Sequence, residues 1–258
     1  MSYENLHLIT AWSQVVQLRE NGLLSPAEVL LLESAQTGDA AKIGLTVPNL
    51  RAPHVLIRAQ LLRYLILGGC KDFRTQPSGI TIYGAWISGA LVLSFTTARG
   101  PIDFFNCHFA ERPQMEQLQA DGLAIVGSML ADGINAARIQ ISGNLTLNGS
   151  KGDGKVALSG SDIKGHLSCT QATLRNPEAS AFKAQGMKVA SSVLLEGTTA
   201  SGQVSLLGAQ IGGQLVAIGA AFHNPEGHAL NVQSAQIHGD VFLRYAQADG
   251  VVSVMGAE

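Results

Sequence analysis

The second half of the chain repeats itself at a regular interval. Similar apolar runs open 22, 26, 22 and 26 residues apart, at Ile141, Ile163, Val189, Ile211 and Ile237. The phrase Asn-Pro-Glu also recurs, at 176–178 and again 48 residues later. A period of about 20 to 30 residues with alternating apolar positions is typical of a solenoid, because a single turn cannot bury its inner face whereas stacked turns share one core.

The spacing of apolar pairs predicts the shape of each turn. Pairs recur every five or six residues, as in Val204/Leu206 followed by Ala209/Ile211. Four such sides make about 22 residues, and a three-sided coil is also open. We therefore predict a mainly β fold, a right-handed parallel β-solenoid of about seven turns over residues 79–258. Asn-Pro-Glu supplies the four additional residues of a 26-residue turn as a corner loop, since proline cannot donate to a strand ladder.

Four longer segments align by eye with offsets of 54, 48 and 48 residues. The segments are 87–109, 141–163, 189–211 and 237–258. One column of the alignment holds glycine in every copy, at Gly100, Gly154, Gly202 and Gly250. We expect each column to occupy one position on the coil in all four copies.

The N-terminal part has the periodicity of helices and predicts a helical cap over residues 1–78. Its second helix opens with a capping box that runs from Ser25 to Glu28, with proline at the first helical position. Such a cap would cover the first turn, because the open end of a solenoid exposes unpaired strand edges. Three helices are expected in the cap, over 5–22, 26–38 and 53–68.

Parts of the chain resemble a known group of proteins. The stretch GAQIGGQLVAIGAAFHNPEGHALNVQSAQIHGDVFL, residues 208–243, is similar to bacterial proteins with pentapeptide-like β-solenoid repeats. The helical run IRAQLLRYLILGG followed by GITIYGAWISGALVL resembles the start of such proteins. The resemblance implies the solenoid fold and no defined activity. True pentapeptide repeats keep a stricter five-residue step, and this chain slips to six.

Composition excludes several classes of function. The chain carries 17 basic and 19 acidic residues, so it has neither the basic patch of a nucleic-acid binder nor the dense acidic surface of a DNA mimic. Its start lacks the features of a signal peptide, and its longest apolar run, 55–67, contains two arginines and is too short to span a bilayer. We expect a cytoplasmic protein with no membrane span.

Motifs for chemistry are weak. The Gly-rich stretch 149–156 has Val156 where a phosphate-binding loop needs Ser or Thr. Cys107 and His108 are neighbours on a strand and should face opposite sides. The sequence predicts no catalytic, cofactor-binding or metal-binding residue and no cofactor. Two sets of side chains are weaker candidates. His223, His228 and His238 could bind zinc if they converged, and Asp162, Lys164 and His166 alternate on one run as in β-helix enzymes that cleave acidic polysaccharides.

Two contact surfaces are predicted. His54, Arg58 and Arg63 in the helical segment are candidates to bind an anion or a partner, although the favoured interpretation is that the arginines lie at the edge of a buried face with their charged ends in water. The last apolar columns could form an end-to-end interface, because the sequence stops in the middle of a turn and leaves an edge that can pair with another chain. Either the chain is part of a longer protein or a partner covers this edge. The interface residues are Val241, Leu243, Val252 and Val254.

The leading functional hypothesis is a non-enzymatic scaffold that presents a flat face to a protein partner or to a second copy of itself. The alternative is an enzyme with a groove along the solenoid or at its junction with the helices, which would bind a polysaccharide or an anion. A third hypothesis, a DNA mimic that protects gyrase, is disfavoured by the balanced charge.

Overall fold

Parallel strands wind through the structure as a solenoid. The structure is a computed structural model, and it describes residues 8–257. From Ile80 onward, eight turns each add one strand to a long parallel sheet. The predicted fold class, mainly β with helices near the N-terminus, is confirmed, and the turns number eight instead of about seven.

The described residues form three helices, three parallel sheets and one small hairpin. The helices are α1 (Trp12–Glu20), α2 (Pro26–Thr37) and α3 (Ala59–Ile66). The first sheet runs in the order β1 (Ala41–Lys42), β5 (Ile80–Tyr83), β7 (Ile102–Phe105), β10 (Leu123–Val126), β14 (Leu145–Thr146), β18 (Leu167–Ser168), β21 (Val193–Leu194), β24 (Leu215–Val216) and β27 (Val241–Phe242). The second runs in the order β2 (Leu56–Arg58), β6 (Trp86–Ser88), β8 (His108–Phe109), β11 (Met129–Leu130), β15 (Lys151–Asp153), β19 (Thr173–Lys183), β22 (Thr199–Ser205), β25 (Ala221–Asn231) and β28 (Gln247–Ser253), joined by β12 (Ile134–Asn135) and β16 (Val156–Ala157). The third contains β9 (Gln119–Ala120), β13 (Gln140–Ile141), β17 (Asp162–Ile163), β20 (Lys188–Val189), β23 (Gln210–Ile211) and β26 (Gln236–Ile237), and the hairpin contains β3 (Gly69–Cys70) and β4 (Phe73–Arg74).

The coil has four sides. One turn passes through strands that begin at Leu145, Lys151, Val156 and Asp162, and the next turn returns to the first side at Leu167. The strands of the third side join the second sheet, because long strands such as β19 bend round the corner between these two sides. Of the two shapes that the sequence leaves open, the four-sided coil is the correct one.

Inward-pointing side chains fill the coil. Buried and partly exposed residues alternate along the strands, as in Leu123–Val126, which is the two-residue period of a strand. Each buried Leu, Ile or Val stabilises the fold by about 1.5–3 kcal/mol relative to an exposed one. Nine positions that the apolar pattern places inside are all buried, namely Leu145, Val156, Leu158, Ile163, Val193, Val204, Leu206, Ile211 and Leu215.

Buried hydroxyl groups complete the hydrogen bonding where the first side turns into the second. Ser150 Oγ donates to the carbonyl of Ile125 at 2.7 Å, and Thr198 Oγ1 donates to that of Cys169 at 2.7 Å. A buried carbonyl without a donor would cost about 1–3 kcal/mol. Small hydroxyl residues therefore let the chain turn a tight corner without losing a hydrogen bond.

The helical segment follows the sequence prediction in its second helix. The Glu28 N–H donates to Ser25 Oγ and the Ser25 N–H donates to Glu28 Oε2, each at 3.0 Å, so the predicted capping box is confirmed. α2 ends at Gly38, whose φ of 83° is left-handed. α1 is shorter than predicted, beginning at Trp12, and residues 5–7 of that prediction lie outside the described residues. No helix among residues 8–257 combines the length and the apolar character that crossing a membrane requires.

The prediction of a helix from residue 53 is wrong at its start. Leu56–Arg58 form strand β2, which pairs with β6, and α3 begins only at Ala59. Pairing with the first complete turn outweighs the local helical pattern of this apolar run. β1 pairs with β5 in the same way, so the segment adds a partial turn to the stack. The helices share one hydrophobic core with the coil, and a domain boundary at residue 78 stays a prediction.

The first segment of the four-copy alignment is wrong by half a turn. Ile87 lies on the second side of the coil, whereas its aligned partner Ile141 lies on the fourth side. Gly100 leads into the first side, whereas Gly154 leads into the third. The four sides have nearly the same five- or six-residue pattern, so an alignment can slip by two sides without losing its apolar matches.

Replacing Leu206 with Asp tests the inward register. Leu206 is buried and its neighbour Leu207 is only partly so. An unpaired charge in the core should lower the free energy of unfolding by more than about 3 kcal/mol. Leu207→Asp is the matched control and should cost less than about 1 kcal/mol. Urea unfolding followed by circular dichroism measures both, and equal unfolding midpoints for the two variants would contradict the register.

Candidate functional site

A buried ion pair joins the helical segment to the first turns. Arg58 donates from Nε to Glu28 Oε1 and from Nη2 to Glu28 Oε2, both at 2.6 Å. The backbone N–H of Arg58 donates to the same carboxylate at 2.9 Å. The side chain of Arg58 is 6% exposed and that of Glu28 is 1% exposed. The anion that Arg58 binds is therefore a carboxylate of the protein itself, and its charged end does not lie in water.

The other two residues of the predicted anion site have different surroundings. His54 is exposed in the turn before β2. Arg63 lies on α3, and its Nε donates to the carbonyl of Val92 at 2.9 Å, which ties the helix to the first turn. Neither residue lines the cavities beside Arg58. The structure thus brings one of the three predicted residues to a cavity.

Two cavities at this junction share Arg51, Leu56 and Arg58 in their linings. One, of about 430 Å³, also includes Glu28 and the residues that begin α2. The other, of about 620 Å³, also includes Trp86 from the first complete turn. Both are concave spaces with a few polar groups, which is the usual form of a small-molecule site.

Sequence reasoning misses two residues of this junction. The capping-box pattern accounts for Glu28 without predicting its ion pair, because Arg58 lies 30 residues further along the chain. Trp86 reaches the junction only through the pairing of β6 with β2, for which no short-range pattern exists. The available signal was the presence of two arginines, Arg58 and Arg63, inside an otherwise apolar run.

The two Asn-Pro-Glu phrases form loops on the same corner of the coil. Asn176 Nδ2 donates to the carbonyl of Ser180 at 2.9 Å, and Asn224 Nδ2 donates to that of His228 at 2.8 Å. Each asparagine therefore closes its own loop. The loops border a surface cavity of about 640 Å³ whose lining includes Gln203, from the turn between them. This geometry agrees with a structural role for the phrase.

The described histidines and cysteines that the sequence singles out lie in separate surroundings. In the part of the chain that the structure describes, no three His, Cys, Asp or Glu residues are placed to hold a metal ion. His223 Nδ1 instead lies 2.7 Å from Asp249 Oδ2. Cys107 points into the core, where burial raises the pKa of its thiol to about 12, while His108 stacks on Trp86 outside. A thiol with this pKa stays protonated at neutral pH and is a poor nucleophile.

The charged candidates on the coil also have simple structural explanations. Val156, at the end of the Gly-rich stretch 149–156, is buried, so the position that would meet a metal lies in the core. Lys164 Nζ lies 2.8 Å from Asp162 Oδ2, and this exposed pair satisfies both charges. The nearby His166 contacts main-chain and side-chain atoms of the next turn. Asp162 and Lys164 lie at a surface cavity of about 250 Å³ that is also lined by Asp121.

The last turn carries exposed apolar side chains on its inner face. Val241 is 48% exposed and Val252 is 45% exposed. We name this surface the end face. It contains all four predicted interface residues, Val241, Leu243, Val252 and Val254. The end face is continued by exposed side chains next to it in sequence, namely Phe242, Tyr245, Val251 and Met255.

Comparison of the chain with protein-family models, with curated proteins and with solved structures finds no significant match.

The junction ion pair predicts a specific pattern of stability. Glu28→Gln should lower the free energy of unfolding by about 3–5 kcal/mol, because it leaves the buried guanidinium of Arg58 without a counter-charge. The double variant Glu28→Leu, Arg58→Met should recover most of this loss, since apolar residues of similar volume often replace a buried pair without cost. Urea unfolding of both variants measures the effect. A single variant as stable as the unchanged protein would show that the pair contributes nothing.

Proposed function

We propose that the protein is a non-enzymatic β-solenoid scaffold that binds another protein chain through its end face, and that the bound chain is a second copy of itself. The observation that carries the proposal is that residues buried in every neighbouring turn are exposed in the last one. Val252 occupies the column of Phe182, Val204 and Leu230, which are all buried. Val241 occupies the column of Leu215, which is also buried.

Open strand edges strengthen this surface. β26, β27 and β28 are each the terminal strand of their sheet, so part of their main-chain N–H and C=O groups has no strand partner among the described residues. Such edges are templates for pairing with another chain. This surface favours the binding of another β strand or β layer. The unpaired main-chain groups would hydrogen-bond to the added strand, and the apolar side chains would be removed from water.

A second copy fits this surface by symmetry. A two-fold axis perpendicular to one side of the coil brings the edge strand of that side antiparallel to its own copy. The apolar columns then face the same columns, and the closed dimer leaves no free edge for further growth. We expect a dissociation constant in the micromolar range, because the contact is made by a single turn of each copy.

The finer parts of the functional assignment belong to the same proposal. Membership of the pentapeptide-like solenoids is supported by the four-sided coil and its 22-residue turns. A role without catalysis is consistent with the ordinary surroundings of Asp162, Lys164 and Cys107. A cytoplasmic location and a bacterial source stay predictions.

Sedimentation velocity at 1 to 100 micromolar protein (about the range in which such a contact forms) tests the proposed dimer. The unchanged protein should sediment increasingly as a dimer, and Val252→Glu should shift it to monomer, because the charge would be buried against its own copy. Val92→Glu is the matched control, since Val92 is also 46% exposed but lies in the first complete turn. It should leave the dimer intact.

Circular dichroism melting confirms that both variants are folded. A monomer at every concentration would overturn the self-association, and equal dissociation by Val92→Glu would move the contact away from the end face.

A further inference from the structure

Two residues that line the larger junction cavity each carry a buried hydrogen-bond donor with no acceptor among residues 8–257. They are Arg58 Nη1 and Trp86 Nε1. Both residues line the cavity of about 620 Å³. A buried donor left without an acceptor costs about 1–3 kcal/mol, and more when it is charged. Two such donors in one cavity indicate a ligand that brings acceptor atoms.

Strand register places the two residues that carry these donors side by side. β2 pairs with β6 so that Leu56 faces Trp86 and Arg58 faces Ser88. Alternate residues of a strand share a face, so these four side chains lie on one outer surface of the sheet, and Arg58 is a diagonal neighbour of Trp86. Diagonal neighbours are about 7–8 Å apart, within reach of long side chains. The main chain therefore creates the pair.

Neighbouring contacts prevent either donor from turning to another partner. The Nε and Nη2 atoms of Arg58 are held by Glu28, and this fixes the plane of the guanidinium with Nη1 left over. The Trp86 ring is stacked on His108 with their centroids 3.7 Å apart and their planes at 7°. Both donors are preorganised, which reduces the entropic cost of binding a ligand.

We propose that this cavity binds the carboxylate group of a small molecule. Arg58 Nη1 and Trp86 Nε1 only donate, and a carboxylate accepts from two donors at once through its two oxygens. Both unpaired groups are hydrogen-bond donors, so a ligand with acceptor atoms is favoured over a cation. Since Glu28 offsets much of the charge of Arg58, we expect dissociation constants of about 1–10 mM for a minimal probe.

The cavity is independent of the proposed dimer. Its residues lie in β2, β6 and their flanking turns, whereas the end face lies in the last turn. Ligand binding would leave the oligomeric state unchanged, so failure of one proposal does not decide the other.

The two indole N–H signals in a ¹⁵N–¹H correlation spectrum test the site. Trp12 and Trp86 are the two tryptophans of the chain, and Trp12 stacks on Phe73 in the helical segment. The spectrum of Trp12→Phe assigns the signals. Titration with sodium acetate should shift the Trp86 signal to saturation and leave that of Trp12 in place. Acetamide, the neutral analogue, and sodium chloride at matched ionic strength should produce no saturable shift.

Paired variants locate the effect. Ser88→Leu fills the cavity next to Arg58 and should weaken acetate binding at least about tenfold, which corresponds to 1.4 kcal/mol. Ser201→Leu places the same side chain on the same side of the coil several turns away and should bind acetate as the unchanged protein does.

Three results would overturn the proposal. One is the absence of a saturable acetate shift, which would mean that ordered water satisfies the two donors. Another is an equal response to acetamide or chloride. The third is a saturable shift with inorganic phosphate and none with acetate, which would replace a carboxylate by a different oxyanion.

Discussion

The parallel main-chain ladder is the interaction on which the rest of this structure depends. Each turn must return to the same four sides so that its N–H and C=O groups meet those of the turns above and below. Four steps of five or six residues achieve this with 22 residues, and four more residues are accommodated only as a loop outside the ladder. The sequence repeats because every turn has to meet the same geometric requirement, namely to fit the turn before it.

The corner loops show how closely the layers approach. Gly202 has a φ of 109°, and a Cβ at this position would lie 2.2 Å from the carbonyl oxygen of Asn176 in the loop of the preceding turn. Gly250 has the same relation to Asn224. The Asn-Pro-Glu loop therefore packs directly on the main chain of the next turn, and this close contact requires a glycine there because any side chain would clash. This explains why they recur with one offset.

A ladder raises the question of what happens at its ends, and the two ends of the described chain differ. At the first turn, β1 and β2 continue the sheets and the helices add an apolar layer, with the pair of Glu28 and Arg58 holding them together. The same interruption of the coil leaves the junction cavities. At the last described turn, the strands pair on one side only among residues 8–257, and the apolar columns continue to the surface.

The sequence by itself determined the solenoid, its turn length, the buried columns and the corner loops, because these depend on local periodicity that every layer repeats. Leu206 can be placed inside from its neighbours alone. The sequence did not distinguish a three-sided from a four-sided coil. It also led to an alignment of the first repeat that is wrong by two sides, because all sides have similar apolar patterns. Only the tertiary structure decided that Leu56–Arg58 form a strand, that Glu28 neutralises Arg58, and that Trp86 lies beside them. These contacts join residues about 30 positions apart. Each arises from a pairing of chain segments that occurs once, so no repeated sequence pattern predicts it.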